Sequence, residues 1–549
     1  MESVNSTKSV LPSLPVLLAA TAVLYWLGLV VYRLYVHPLS RFPGPRIAAV
    51  TSWYEAYYEI VLKGQYSRQI SKLHDQYGPV VRVTPHELHI RDPRFFDEVY
   101  GKNLHLDKEG WDKRFGCPGG VLATVNAQQH KRRRAALAPM SVSLQVADSS
   151  YQRPIFRDCS HIMAWGYYQP YIEPALTTPR FSRRSILDFI HIIYRHIDTL
   201  SLRMQEFEAR KEPLNLSHAF PALTGDIIMD YFFGFNYSQL KHPEFESFHD
   251  AFIKIGGTGH IATQFPLIYP IMNSIPDQVT GWLEPAAKPL LKFKRDQWDL
   301  IARTLRGDDV KNNDAKKTVF QEIISSKLPE EDKTHQRLAD EAQIVVGGGV
   351  ETTAFALSIA TFHIINNPHI YERLHKDLVE AFPNRATLEL YPLEQMPYLK
   401  AIIMEAVRLS YGLSARNPRT HKTPIRYKDW IIPANTCISM TIPELSHDES
   451  IFPSSRSFIP ERWLDNPTTA DGIPLDRFMV SFGRGTRACL GITLAWTELY
   501  LTLGMMFRRY KFELHEADVT DVELGHDFFI PVTKLDSKGV RVFVSNSGD

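Results

Sequence analysis

Apolar positions fall along this chain in blocks of different period, and the period of each block predicts its structure. Residues 14–32 carry no charge and are mostly apolar; at helical rise that length just spans a bilayer core. Phe42-Pro43-Gly44-Pro45 follows. Proline fixes the backbone and cannot continue a helix, so these residues predict a stiff hinge. Residues 78–92 alternate and are rich in β-branched side chains, which predicts a small antiparallel sheet. Beyond them helical periodicity dominates, in residues 186–207, 223–235 and 339–365 and in the apolar run 492–507. Residues 253–282 are apolar but rich in Gly and Pro, and 140–180 show no clear period. The pattern predicts a mainly α protein with a minor β region behind a single N-terminal transmembrane helix.

Charge orients that helix. The apolar run ends at Tyr32-Arg33-Leu34-Tyr35, with His37, Arg41 and Arg46 beyond it, while Lys8 alone precedes it. The positive-inside rule then places the bulk of the chain in the cytosol and residues 1–13 as a short lumenal tail. A signal peptide would have a shorter apolar region ending at a small-residue cleavage site. A length of 549 residues sets a prior of about three or four domains. No low-complexity linker, repeat or charge block marks such boundaries, so one catalytic domain (47–549) is expected behind the anchor (14–32) and the hinge (33–46). The balance of 62 Lys and Arg against 61 Asp and Glu gives no support for a nucleic-acid binder. The four cysteines, Cys117, Cys159, Cys437 and Cys489, form no C-x-x-C, which argues against a disulfide scaffold or structural zinc and suits a reducing compartment.

Candidate chemistry gathers near the C-terminus, in Ser481-Phe482-Gly483-Arg484-Gly485-Thr486-Arg487-Ala488-Cys489-Leu490-Gly491. A cysteine at the mouth of a helix has its anion favoured by the helix dipole and by free backbone N–H groups. Gly483, Gly485 and Gly491 carry no Cβ, so a flat ligand can lie against the backbone. These features suit a thiolate presented to a metal; the plainer reading is a structural thiol in a glycine-rich turn. Upstream, Gly347-Gly348-Gly349-Val350-Glu351-Thr352-Thr353 interrupts a helical pattern at about 1 kcal/mol per glycine relative to alanine. A purely structural helix has no need of that cost, although a kink or capping motif is the alternative. Glu405-Ala406-Val407-Arg408 places acid and base on one helix face, as ordinary surface pairs also do. His130-Lys131-Arg132-Arg133-Arg134 is a basic cluster, most simply a solvated face.

In their order along the chain, Gly348–Thr353, Glu405-x-x-Arg408, Phe458-Ile459-Pro460-Glu461-Arg462-Trp463 and Phe482-x-x-Gly-x-Arg-x-Cys489-x-Gly491 resemble the motifs of the cytochrome P450 family. The resemblance implies the cytochrome P450 fold, with haem b between the glycine-bearing helix and the cysteine-led helix and Cys489 as the thiolate ligand of iron. It implies that Phe482 shields the sulfur, that Gly491 belongs to the cofactor-binding loop, and that Glu351 and Thr352 are the acid–alcohol pair that delivers protons. Glu405, Arg408 and Arg462 would form a buried structural triad. His130, where the family has Trp, and Arg134 and Arg487 would meet the haem propionates, together with one of Arg416 and Arg419; the sequence leaves that choice open. Basic residues not used on haem would face an acidic electron donor, NADPH-cytochrome P450 reductase.

Residues 253–282 align with the family's mobile lid, and 411–414 and 527–532 with substrate-facing loops. In related fungal sequences a Leu-x-Pro end runs almost directly into Phe-Ser. Here Leu137-Ala138-Pro139 and Phe181-Ser182 are separated by 140–180, which reads as an insertion or as intron sequence translated from a faulty gene model; a surface loop is the competing reading. The function implied is an O2-activating monooxygenase of the endoplasmic reticulum membrane, similar to fungal secondary-metabolism members such as trichodiene oxygenase-like enzymes. It would oxidise a lipophilic small-molecule substrate, a terpenoid or polyketide intermediate. A haem-thiolate isomerase or dehydratase needing no reductase is the first alternative, and Glu351-Thr352 counts against it because such enzymes often lack the pair. A membrane-tethered haem-binding sensor is the second.

Overall fold

The computed structural model describes residues 14–101, 106–137, 183–308 and 318–547. The tail 1–13 and the 140–180 segment lie outside them. The apolar run forms the helix Leu14–Val31, with no residue buried, and continues as a π-helical turn, Tyr32–Val36. Only one other described helix is long and apolar enough to cross a membrane, His335–Asn366, and it is mostly buried inside the protein. The hinge lies against the body. Pro43 O accepts the Arg82 N–H (2.7 Å) and Phe42 stacks on Trp430 (4.8 Å between ring centres). A Cβ on Gly44 (φ +154°) would lie 2.5 Å from Arg82 O, so the close approach requires glycine there.

The predicted antiparallel pair is present as Val80–Arg82 against Glu87–Ile90. It belongs to a five-stranded sheet that continues through Cys437–Ser439 and Arg419–Thr420 to Asp107–Lys108. Glu87–Ile90 and Cys437–Ser439 run parallel and the remaining pairs antiparallel. The last ladder sets Lys108 directly opposite Arg419.

Helices make the rest of the core. His335–Asn366 runs through its centre and packs on Leu216–Phe233, Lys288–Arg306, Pro397–Ser410 and Ile492–Arg509. Their apolar faces merge into one large cluster. The glycines at 347–349 do not break the central helix, and two of them are packing positions. A Cβ on Gly349 would stand 2.7 Å from Ile228 Cδ1, and one on Gly347 would stand 3.2 Å from Phe252 Cε1. Gly348 alone fronts open space, with no atom within 4 Å of a Cβ.

The Gly- and Pro-rich stretch becomes three helices, His249–Gln264, Ile268–Asn273 and Asp277–Leu283. The first closes on the predicted substrate loops. His260 Nε2 lies 2.5 Å from Asp527 O, and a Cβ on Gly256 would collide with the Phe528 carbonyl. Those loops also hold each other: Ser414 Oγ donates to Asp527 Oδ1 (2.8 Å) and Ser414 N to Phe529 O (3.0 Å).

Candidate active site

Cys489 stands just ahead of the helix Ile492–Arg509. Its N–H closes a turn onto Phe482 O (2.8 Å), while the Phe482 ring lies against Trp496 (6.3 Å between centres). Gly483 and Gly485 both adopt φ +66°, and a Cβ on Gly485 would collide with the Tyr100 carbonyl, so the loop takes this path only with glycine there. Cys117 and Cys437 are buried, whereas Cys489 is exposed. Burial nonetheless pushes its thiol up, and the Gly491 N–H on the sulfur and the Arg134 guanidinium pull it back only in part. The residue is therefore accessible while protein crowds its thiol. The thiolate needs a further cation on its open side, which is what an iron centre supplies.

Five basic side chains converge near that loop. Lys108 and Arg419, cross-strand neighbours, are 3% and 5% exposed. Like charges directly opposite in a ladder repel. Arg487 donates to Thr124 O (2.9 Å) and Val125 O (2.7 Å), and Arg134 donates to Ala488 O (2.7 Å). Burial, then Arg419, lowers Arg487 to about 9; Asp107 opposes that shift. Burial, then Arg487, Lys108, Arg134 and Arg419, drives the buried His130 down to about 2. Lys108 is forced well below its usual range by burial and by Arg419, Arg487 and Arg134. None of the five is ion-paired to a carboxylate among the described residues. A buried cationic cluster without counter-charge is costly, and a dianionic ligand edge removes that cost. The two carboxylates of haem b, beside an enclosed thiol at Cys489, fit this donor set.

Arg416 is not a member of this group. Its guanidinium donates to Glu55 and to Glu87 Oε2 (2.5 Å); Glu87 is buried, and Arg416 and Glu55 are largely enclosed. Burial lowers it, but the two carboxylates hold it well above the usual arginine value. Of the two arginines left open by the sequence, Arg419 joins the cationic cluster and Arg416 is occupied elsewhere.

On the central helix, Glu351 is buried and accepts from His249 Nδ1 (2.8 Å), while the Thr352 hydroxyl donates to Gly348 O (3.0 Å). The adjacent Thr353 hydroxyl bonds Glu498 on the cysteine-led helix, whose carboxyl burial pushes well above its usual range. That bond ties the two helices together. The Glu405 carboxylate accepts both Arg408 Nε and Nη2 at 2.8 Å, Arg462 Nε at 3.0 Å, Ile459 N at 3.0 Å and Trp463 Nε1 at 2.9 Å. Ser481 Oγ in turn donates to Val407 O (2.8 Å), so the cysteine loop starts from this network. The sequence reading missed Lys108, Glu498 and His249. A lone lysine in a two-residue strand carries no local signal, and the two others are single polar residues in apolar helical patterns.

The cytochrome P450 family model matches residues 174–537. The chain is 38% identical to cytochrome P450 monooxygenase sdnE of Sordaria araneosa over 96% of its length and 97% of the relative's. It is 35% identical to cytochrome P450 monooxygenase tpcC of Cochliobolus heterostrophus over 97% and 98% of the two chains. It is 36% identical to tryptophan 6-hydroxylase fscE of Fusarium equiseti over 95% of each. With a reachable thiol set in a glycine turn, a buried cationic cradle and relatives aligned nearly end to end, this chain belongs to the cytochrome P450 family and is a haem-thiolate monooxygenase.

Proposed function

We propose that the protein oxidises a lipophilic secondary metabolite, a terpenoid or polyketide intermediate, with electrons passed from NADPH through NADPH-cytochrome P450 reductase. Haem b would be held by Cys489 and its propionates by His130, Arg134, Arg419, Arg487 and Lys108. The observation that carries this reading is the cross-strand pair Lys108–Arg419, two buried basic side chains that have no carboxylate partner among the described residues. When bound, haem supplies an iron centre that, with dioxygen and two electrons, places one oxygen atom on the substrate.

The residues of the chain bind, orient and move protons. The N–H of Gly491 and the charge of Arg134 stabilise the thiolate and moderate its donation. Gly348 leaves open space beside the central helix, where Glu351 would take up a proton and the Thr352 hydroxyl, anchored on Gly348 O, would orient its delivery. The triad of Glu405, Arg408 and Arg462 fixes the segment ahead of the cysteine. The acid–alcohol pair favours a monooxygenase over an isomerase or dehydratase.

Support for a lipophilic substrate comes from the lid. Leu267, Ile271, Trp282 and Leu283 are exposed on it, as is Trp53, which meets Phe265 of the lid (5.9 Å between rings). This apolar surface lies beside the segment that leads from the anchor, which suits a catalytic domain on the cytosolic face of the endoplasmic reticulum with substrate entering from the lipid side. The test is expression with the reductase and metabolite profiling against Cys489→Ala. An oxygenated product lost in that variant is expected. The same product from Cys489→Ala refutes the reading.

A further inference from the structure

We propose that His249, on the lid helix, is the solvent-side positioning residue of the proton path, passing protons from bulk water to Glu351. This rests on the reading of Glu351 as the distal acid and extends it outward by one residue. Glu351 is 6% exposed, and its two oxygens are in different situations. Oε2 accepts from His249 Nδ1 at 2.8 Å, whereas Oε1 is buried and has no hydrogen-bond partner among the described residues. The His249 side chain is 28% exposed, and no described residue bonds its Nε2. The pair thus reaches from water on one side to an unsatisfied buried oxygen on the other.

Residue type matters at this position. A lysine or arginine there would hold Glu351 as a fixed ion pair, whereas an imidazole both orients the carboxylate and exchanges protons near neutral pH. The charges around the ring are Glu351 on the central helix, Asp250 next to it on its own helix, and the His218 ring on Leu216–Phe233, 6.3 Å between centres. Burial disfavours the cation, but Glu351 and Asp250 outweigh it and hold His249 above its ordinary value. His218, by contrast, is lowered by burial and by His249, so it remains the neutral member. In the transfer, the imidazolium gives its Nδ1 proton to Glu351 Oε2 and is left as the neutral ring with its proton on Nε2. The carboxylate gains the one proton that the ring loses, and the ring takes one back from water once Glu351 has passed its proton on. No electrons move in this step.

The test uses the full-length holoenzyme in vesicles with reductase and NADPH and needs no identified substrate. Dioxygen uptake and its solvent isotope effect are measured across pH for wild type, Glu351→Gln, His249→Gln and His249→Ala, with added imidazole. In parallel, the His249 imidazole is titrated by NMR in the resting, carbon-13 histidine-labelled protein. Expected are a roughly tenfold or greater loss of rate in all three variants, a larger solvent isotope effect, and partial rescue of His249→Ala by imidazole. By NMR, His249 titrates above 6.5 in wild type and lower in Glu351→Gln. If Glu351→Gln slows uptake while the His249 variants do not, the relay is wrong and the acid assignment stands. If Glu351→Gln is itself silent, the acid assignment fails and takes the relay with it. If His249→Ala is slow, unrescued by imidazole and lower melting, His249 is only a lid fastener and the proposal is overturned.

Discussion

Arg416 and Arg419 differ by three positions and invite the same substitution, methionine, with opposite consequences. Arg416 is enclosed with Glu55 and Glu87. Removing it leaves the buried Glu87 and the largely enclosed Glu55 without their cation, a change that costs about 3–5 kcal/mol when one member of a buried pair is lost. Protonation limits the loss. Burial already holds Glu87 up despite Arg416, and each further unit of that rise costs about 1.4 kcal/mol. Arg416→Met should therefore lower the melting temperature of apoprotein and holoprotein alike. Arg419 shares its site with Lys108 and Arg487, and the like charges oppose one another. Its own bonds are to Asn417 Oδ1 (2.6 Å) and Pro418 O (2.9 Å). In Arg419→Met the apoprotein should melt within about 1 kcal/mol of wild type, because the lost bonds are offset by relief of repulsion. Haem, losing one charge-assisted contact of about 1.5–3 kcal/mol, should bind roughly 10- to 100-fold more weakly. The assay is differential scanning calorimetry of both forms with haem transfer to apomyoglobin as the measure of retention. Should Arg416→Met weaken haem while sparing the apoprotein, the division of the two arginines drawn here is wrong.

Further outcomes follow from burial and sign. Glu405→Gln removes the charge from a fully buried carboxylate that receives five N–H donors and should cost about 3–5 kcal/mol. Lys376→Met in the exposed Lys376–Glu380 pair should cost no more than about 0.5 kcal/mol by chemical denaturation; equal costs would show that burial is not what matters. Burial raises the Glu405 carboxyl but its partners bring it below the usual range, so its contribution is present above about pH 4.3 and is lost as pH falls through the folded value. Burial also lowers His74 and His363 to about 4 and His447 to about 3. The unfolded chain then binds more protons than the folded one below about pH 6.5, and melting temperature should fall as pH drops from there towards 4; a flat profile over that window would contradict it. Gly348→Ala should stabilise the apoprotein by up to about 1 kcal/mol through helix propensity. Gly349→Ala should destabilise it by about 1–3 kcal/mol through overpacking on Ile228; melting curves of the pair separate the roles of the two glycines.

What the sequence made legible, and what it did not, divides along the range of the interaction. The N-terminal apolar helix, the sheet of 78–92 and the long helices were readable because period is a property of neighbours in the chain; the helix expected at 186–207 runs Arg183–Arg210, and that expected at 223–235 starts earlier and ends earlier, Leu216–Phe233. The roles of the glycines were not, because Ile228 and Phe252 decide them from more than ninety residues away. The triad was readable in part. Glu405 and Arg408 share a helix face, whereas the bonds from Ile459, Arg462 and Trp463 arrive through a loop.

The choice between Arg416 and Arg419 is the sharpest case. In extended backbone, residues an odd number apart point to opposite faces, so one arginine had to turn away from the other, but only strand pairing says which face holds the ligand. That pairing is with Lys108, a residue with no local distinction. A sequence selected for stability alone would not set two buried cations opposite each other. Their juxtaposition is local frustration among the described residues, and it fits complementarity to an anion that those residues do not supply. The same test applies to the Cys489 thiol, exposed yet held up by the protein around it. In both places the polypeptide is least comfortable where haem is proposed to bind, and that discomfort supports the proposal independently of the motifs.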